Sequence, residues 1–205
     1  MVATGLFITF EGVEGSGKTT QIEMLRKWLL AAGHSVLVTR EPGGDPAAEA
    51  IRNIVLENDV APRTELLLFL ASRAQNVETV ILPALTAGKI VICDRFIDSS
   101  VAYQGFARGI GRDTVAALNE FATGALYPDI TFLLDIDPAI GLARQADRNR
   151  MEAESLTFHQ TVRKGFLTEA ENSSGRICVL NASGSFADIH FSIANRVLKI
   201  LESRV

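Results

Sequence analysis

The chain lacks the features that would place it in several large classes. No stretch reaches the roughly 18 consecutive apolar residues of a membrane helix. Cysteine is scarce: Cys93 and Cys178 are the only two, each inside an apolar run, so a disulfide framework is not what holds the fold. A basic excess is also missing. Twenty Lys and Arg stand against 24 Asp and Glu, for a formal net charge of −4, the wrong sign for a protein laid along a nucleic-acid polymer. There is no repeat at a period of about 20–50 residues and no low-complexity tract. The apolar run Leu6–Phe10 has no basic residue before it and no small-residue cleavage site after it, as expected of a soluble cytoplasmic protein with no membrane partner.

What is present suits a compact enzyme core. Hydrophobic residues make up 47% of 205 residues and charged ones 21%, enough to bury a core in one domain spanning 1–205. Short apolar runs alternate with helical patterns. Leu6–Phe10, Val36–Val38, Ile90–Cys93, Ile130–Leu134 and Ile177–Leu180 read as strands. Ile22, Leu25 and Leu29 recur at helical spacing before Gly33, and a helical region runs from about Arg63 to Ala87 with an interruption near Pro83. Asp137-Pro138 opens another helix. Ser185 and Asp188 form a capping box before a last helix with Phe186, Ile189, Ile193, Val197 and Ile200 on one face. Continuous apolar strands are those of a parallel sheet buried on both sides. The expected class is α/β: three layers, α/β/α, around a five-stranded parallel sheet.

The segment Gly12-Val13-Glu14-Gly15-Ser16-Gly17-Lys18-Thr19 fits G-x-x-x-x-G-K-[ST], the phosphate-binding loop. Glycines let successive N–H groups turn inward to phosphate oxygens, and the following helix adds the positive end of its dipole. Lys18 reaches the β- and γ-phosphates, and Thr19 offers its hydroxyl to Mg²⁺. A glycine-rich turn would match by accident in on the order of one chain in a hundred at ordinary composition. Here the match lies between a strand and an amphipathic helix, as the mechanism requires. Gly12 through Thr20 is therefore the candidate ATP site.

A phosphate loop alone does not separate kinases from GTPases or transporters. The guanine-reading N-K-x-D and the transporter signature L-S-G-G-Q are both missing. Asp94-Arg95 follows the third strand, at the sheet edge where ligands bind. An acid there holds a metal ion or its water shell, and an arginine clamps a second phosphate; a surface ion pair is the plainer alternative. The chain has 15 Arg and 5 Lys, weak support for bidentate phosphate recognition. Arg144, Arg148 and Arg150 cluster after the fourth strand. They read either as a lid over the triphosphate, about residues 144–154, or as a solvated helix face.

Phe10–Thr20, Thr39–Gly44, Glu65–Gln75 and Asp94–Gly105 together resemble the bacterial thymidylate kinases. The Arg40-Glu41-Pro42-Gly43-Gly44 run and the D-R-F-x-D-S-S-x-A-Y-Q-G run carry most of the specificity. The resemblance implies Mg²⁺-assisted phosphorylation of dTMP by ATP, usually by a homodimer. It places Glu14 near the acceptor and its sugar, and Arg40 and Arg95 on the dTMP phosphate, with Pro42 and Ser99 beside them. Phe69 would stack on thymine, Arg73 would bind its carbonyl edge, Ser100 and Gln104 would contact the base, and Tyr103 would lie beneath the deoxyribose. Lys18, Arg95, Glu14 and the lid arginines Arg150, Arg148 and Arg144 would be catalytic, with Thr19 and Asp94 at the metal. Gly15 stands where some relatives carry a basic residue, which fits the variant whose catalytic arginine comes from the lid.

Without the resemblance, core is the plainer alternative for Phe69, and Tyr103 reads equally well as a helix–helix packing residue. Trp28 reads as packing or subunit interface. His34, His159 and His190 show no metal spacing and suggest no chemistry. The rival functions are a kinase for another nucleotide or small metabolite, with a different acceptor pocket, and a nucleotide-hydrolysing switch, which needs no second anion site or base-stacking platform.

Overall fold

The computed structural model describes residues 5–144 and 150–204. The five apolar runs form β1 (Leu6–Glu11), β2 (Val36–Arg40), β3 (Ile90–Asp94), β4 (Ile130–Asp135) and β5 (Ile177–Asn181). They pair in parallel in the order β2-β3-β1-β4-β5. Every residue of β1 is buried, whereas the edge strands β2 and β5 leave some side chains half-covered or exposed. On β1, Leu6, Ile8 and Phe10 join a cluster with Leu25, Leu29, Ile193 and Val197, while Phe7 joins another with Ile81, Leu85 and Val91. Apolar cores on both sides of the strand make the sheet the middle layer.

The helices are α1 (Lys18–Ala31), α2 (Pro46–Glu57), α3 (Pro62–Asn76), α4 (Leu82–Thr86), α5 (Ile97–Ser100), α6 (Arg112–Thr123), α7 (Pro138–Ala143), α8 (Leu156–Asn172) and α9 (Phe186–Glu202). Three of these, α2, α6 and α8, escape the apolar periodicity because their buried positions are few or are mixed with polar residues and glycine. Only Ala48 and Val55 are buried on α2, Val115, Asn119 and Thr123 on α6, and His159, Val162, Gly165, Phe166 and Glu169 on α8. The interruption expected near Pro83 falls just before it, as a π-helical turn over Val77–Ile81 in which the Leu82 N–H reaches back to the Val77 carbonyl. A proline ring crowds the carbonyl four residues earlier, and a wider turn makes room for it. On α9, Ile189, Ile193 and Val197 are buried as expected, but Phe186 is half exposed and sits beside Gly17.

Register brings the site together. Phe10 of β1 and Arg40 of β2 both pair with Asp94 of β3. The Arg95 N–H then donates to the Phe10 carbonyl at 2.9 Å and the Glu41 N–H to the Asp94 carbonyl at 2.9 Å. Three loops thus leave the sheet side by side at its carboxyl edge, where β1 connects to one side and the chain later crosses to β4 on the other.

Candidate active site

Gly17 caps α1 in the left-handed conformation, and among the described residues no side chain bonds the helix's first N–H groups. By contrast Asp45, Asp137, Ser155 and Ser185 cap α2, α7, α8 and α9. The uncapped donors face a hollow lined by Glu14, Gly15, Ser16, Gly17, Lys18, Thr19 and Thr20, with Arg40, Asp94 and Arg95 across from them. Lys18 donates to the carbonyls of Gly12 and Val13 at 3.1 and 3.2 Å. Burial, with Arg95 nearby, pushes its ammonium down to about 8, against the pull of Asp94, Glu14 and Glu11. Among the described residues, Ser16 Oγ and Asp94 Oδ1 are buried with no hydrogen-bond partner. Gly15 has φ +68°, and a Cβ there would lie 2.1 Å from the Gly141 carbonyl of α7. The backbone of α7 therefore forbids a basic side chain at that position.

Glu14 and Arg95 form the wall between this cradle and a second pocket. Arg95 has φ 69°, an uncommon conformation for a non-glycine residue. Its guanidinium donates to Gly12 O (3.2 Å), Ser99 Oγ (3.3 Å) and Glu14 Oε1 (3.0 Å) and lies over the Tyr103 ring. Burial works against its charge, but Tyr103, Glu14 and Asp94 outweigh it and hold Arg95 firmly protonated. The Tyr103 hydroxyl donates to Glu14 Oε1 at 2.6 Å. Burial also opposes the Glu14 carboxylate, yet Arg95, His159, Lys18 and Tyr103 keep it ionised, well below the usual range. Beneath them Glu11 accepts from the Phe96 N–H and from the N–H and hydroxyl of Ser99. Burial and the nearby Asp98 raise it to about 7.

The second pocket is lined by Glu14, Pro42, Phe69, Arg73, Arg95, Ser99, Ser100, Tyr103 and Gln104, together with Glu41, Arg52, Leu56, Met151 and Glu152. Phe69 is half-buried at this wall and stands outside the three apolar core clusters. Tyr103 and Gln104 come from a π-helical segment, Val101–Ala107, whose wider turn turns both inward. Arg73 is 2% exposed and donates to Glu41 Oε2 (2.7 Å), Ser100 Oγ (2.9 Å), Asn119 Oδ1 and the Phe96 carbonyl (2.9 Å). Four of its five N–H groups are thus engaged. Gln104 Nε2 donates to Glu65, a fully buried carboxylate that also binds Arg108 and Arg150. Burial would raise Glu65, but these donors pull it below the ordinary value.

The structure separates residues expected to act together. Arg40 points to Glu49 of α2 in a two-oxygen ion pair at 2.9 Å and lines only the cradle. Arg144 lies just past the end of α7 and donates to the Gly15 carbonyl at 2.9 Å. Arg150 donates to the Val55 carbonyl and, at 2.7 Å, to Glu65. It is seated on α2 and α3 and does not line the cradle. Arg148 lies outside the described residues.

Arg52 lines both pockets and donates to the Pro42 carbonyl at 2.8 Å. Sequence reasoning missed it along with α2, although Asp45-Pro46 repeats the cap-and-proline pair read correctly at Asp137-Pro138. Glu65, Arg108 and Asn119 were missed for a different reason: they touch the site through other side chains.

Two abutting polar hollows, one a phosphate cradle and one with an aromatic wall, can be compared with known proteins. The family model described as "Thymidylate kinase" matches residues 10–193. The chain belongs to the thymidylate kinase family. It is 47% identical to a thymidylate kinase from Geobacter sulfurreducens, over 98% of this chain and 100% of that protein. With one from Halalkalibacterium halodurans it shares 48% identity over 90% of this chain and 92% of the relative. The crystal structure of thymidylate kinase from Ehrlichia chaffeensis superposes with a TM-score of 0.78 at 36% identity, covering 97% of this chain and 98% of that one.

Proposed function

We propose a division of labour for this site in the reaction of its family. The chain is a nucleoside monophosphate kinase and phosphorylates dTMP to dTDP with ATP as donor. One observation carries the assignment of sides: the two hollows share Glu14, Glu41, Arg52, Arg95 and Glu152 as a common wall. A triphosphate in the cradle and a nucleotide in the second pocket would meet end to end across that wall.

The acceptor is already a phosphate oxygen, so no strong base is needed. The obstacle is repulsion between two anions, and positioning plus opposing charge overcomes it. Lys18 and the free N–H groups of α1 hold the donor phosphates. Arg95 turns from Glu14 to the acceptor phosphate, with Arg52 and Arg40 flanking the gap. Phe69 stacks on thymine, and the fifth N–H of Arg73, with Ser100 and Gln104, reads its polar edge. Tyr103 and Glu14 hold the deoxyribose side. Arg144, already on Gly15, supplies lid charge to the donor. Arg150 is a clasp that draws Met151 and Glu152 over the acceptor.

The cradle also fits Mg²⁺. Among the described residues no group of three or more His, Cys, Asp or Glu could cage a metal. Asp94, with its partnerless oxygen, and the Thr19 hydroxyl are hard donors of the kind an ion uses when phosphates and water complete its shell. The ion would neutralise phosphate charge. A cytoplasmic homodimer completes the reading: Ile54, Leu67 and Phe121, on α2, α3 and α6 with α3 packed against both others, are 46%, 59% and 88% exposed.

An ADP-release assay with dTMP, dUMP, dCMP, dGMP and dAMP tests the assignment. Release should depend on dTMP above the others, and its absence with dTMP overturns the reading. Arg150→Ala should raise the KM for dTMP about tenfold with kcat little changed, whereas a fall in kcat alone would return Arg150 to the transferring group.

A further inference from the structure

One buried polar side chain faces the site without a part in it. His159 lies in the first turns of α8 and is 0% exposed. Its Nδ1 stands 3.3 Å from Oε2 of Glu14. The other oxygen of that carboxylate is taken by Tyr103 and Arg95. Among the described residues, neither His159 nitrogen nor Glu14 Oε2 makes a well-aligned hydrogen bond. Both groups are buried, where an unpaired polar atom is costly, and they face each other at near-bonding distance. Such bonds are often long or bent before substrate arrives and tighten in the complex.

We infer that His159 is a positioning residue for Glu14, holding the free oxygen of its carboxylate once Arg95 is drawn to the acceptor. The assignment rests on the thymidylate kinase reading above. A nucleotide monophosphate carries about −1.5 to −2 charges and competes strongly for Arg95. When Arg95 turns, Glu14 keeps the Tyr103 hydroxyl on Oε1 and has His159 opposite Oε2.

Both grips come from one rigid block. Gly165 of α8 packs so closely on the Val101–Ala107 segment that a Cβ there would meet the Ala102 Cα at 3.1 Å. The Tyr103 ring packs against Phe158 and Phe166 of α8, at 6.2 and 6.1 Å between centroids. His159 also follows directly on the segment that carries Met151 and Glu152 over the acceptor, and its N–H bonds the Ser155 carbonyl at the helix cap. The helix beneath the cover is therefore tied to the phosphate loop through one imidazole–carboxylate contact.

The test uses His159→Phe, which keeps bulk without a donor, His159→Asn, whose amide nitrogen sits near the place of Nδ1, and His159→Gln, whose nitrogen sits near Nε2. His159→Phe should lower kcat with dTMP about tenfold while the KM for ATP holds, the scale of a hydrogen bond to a charged group. His159→Asn should recover to within about threefold of wild type and outpace His159→Gln, a comparison that survives if the Phe variant fails to fold. In a Glu14→Gln background, His159→Phe should cost little more, because the carboxylate it serves is gone. Wild-type kcat in the Phe variant, equal rates for Asn and Gln, or an undiminished cost in the Glu14→Gln background would each overturn the inference. Wild-type turnover of dTMP in the same assay separates that failure from failure of the kinase reading.

Discussion

The phosphate cradle and the acceptor pocket share a wall but are built on opposite principles. The cradle is nearly one continuous segment, and it leaves its donors open: among the described residues α1 has no side-chain cap, and Ser16 Oγ has no partner. The acceptor pocket draws on the loop after β2, α2, α3, the loop after β3, α5 and the Val101–Ala107 segment, and its charges are answered by one another. Arg73 is held by four acceptors, and Glu65 by Gln104, Arg108 and Arg150. On the proposed assignment a triphosphate would fill vacant hydrogen-bonding positions, whereas a monophosphate would exchange partners with groups already paired. Damage to the first side should therefore appear in rate, and damage to the second in stability.

The largest contrast lies in Arg73. Arg73→Leu strands the buried carboxylate of Glu41, whose partner lies 2.7 Å away with both side chains almost wholly covered. Breaking such a pair from one side costs about 3–5 kcal/mol. Denaturant unfolding should show this loss, and a shift below about 1 kcal/mol would mean the pocket is not the paired structure described. Lys18→Ala should reverse the pattern. Turnover falls about 10²–10³-fold, by analogy with removal of a single electrostatic donor. Stability without ligand should hold or rise, since burial already disfavours the Lys18 charge. A large drop in the unfolding midpoint would erase the distinction between the two sides.

The same division decided what was legible beforehand. Contiguous features were readable: the five strands, the phosphate loop, Asp94-Arg95 at a sheet edge, and the capping box at Ser185. The acceptor residues are distributed, and spacing alone left Phe69 and Tyr103 indistinguishable from core. Only the resemblance gave them roles, and both line the second pocket. Arg52 was lost because α2 buries only two small apolar side chains, too few to show a period. Glu65 and His159 were lost because their partners are 39 and 145 positions away along the chain (Gln104 and Glu14). No local pattern in sequence marks a buried carboxylate or imidazole as part of a site built by folding.

A smaller effect probes the acceptor wall itself. With Phe69, Leu56 and Met151 all lining the second pocket, the thymine methyl should be worth about 1–3 kcal/mol, so kcat/KM should favour dTMP over dUMP about 10–200-fold. Equal efficiency would mean that the apolar side of the pocket does not touch the base. Phe69→Ala should shrink the preference along with the affinity.

The subtlest prediction concerns protons on the cradle side. In the free enzyme Lys18 titrates at about 8, below its ordinary value of 10.5, because it is buried and Arg95 is near. A bound triphosphate favours the ammonium and raises that value. Below pH 8 the lysine is charged in both states, and ATP affinity should be flat. Above pH 8 binding must take up a proton that the free enzyme has lost, so affinity should fall by up to about tenfold per pH unit until the bound-state value is reached. Glu11 titrates near 7, so a series from pH 8 to 9.5 isolates Lys18. Calorimetry in buffers of different ionisation enthalpy should register proton uptake there, and Lys18→Gln should abolish it. The linkage to stability has the opposite sign: a folded-state lysine below its unfolded value destabilises the ligand-free protein most while it is charged, and that penalty fades between pH 8 and 10.5. Over that window the empty cradle should grow more tolerant of heat as its hold on ATP weakens, whereas a parallel fall in both would show that Lys18 is not the group being titrated.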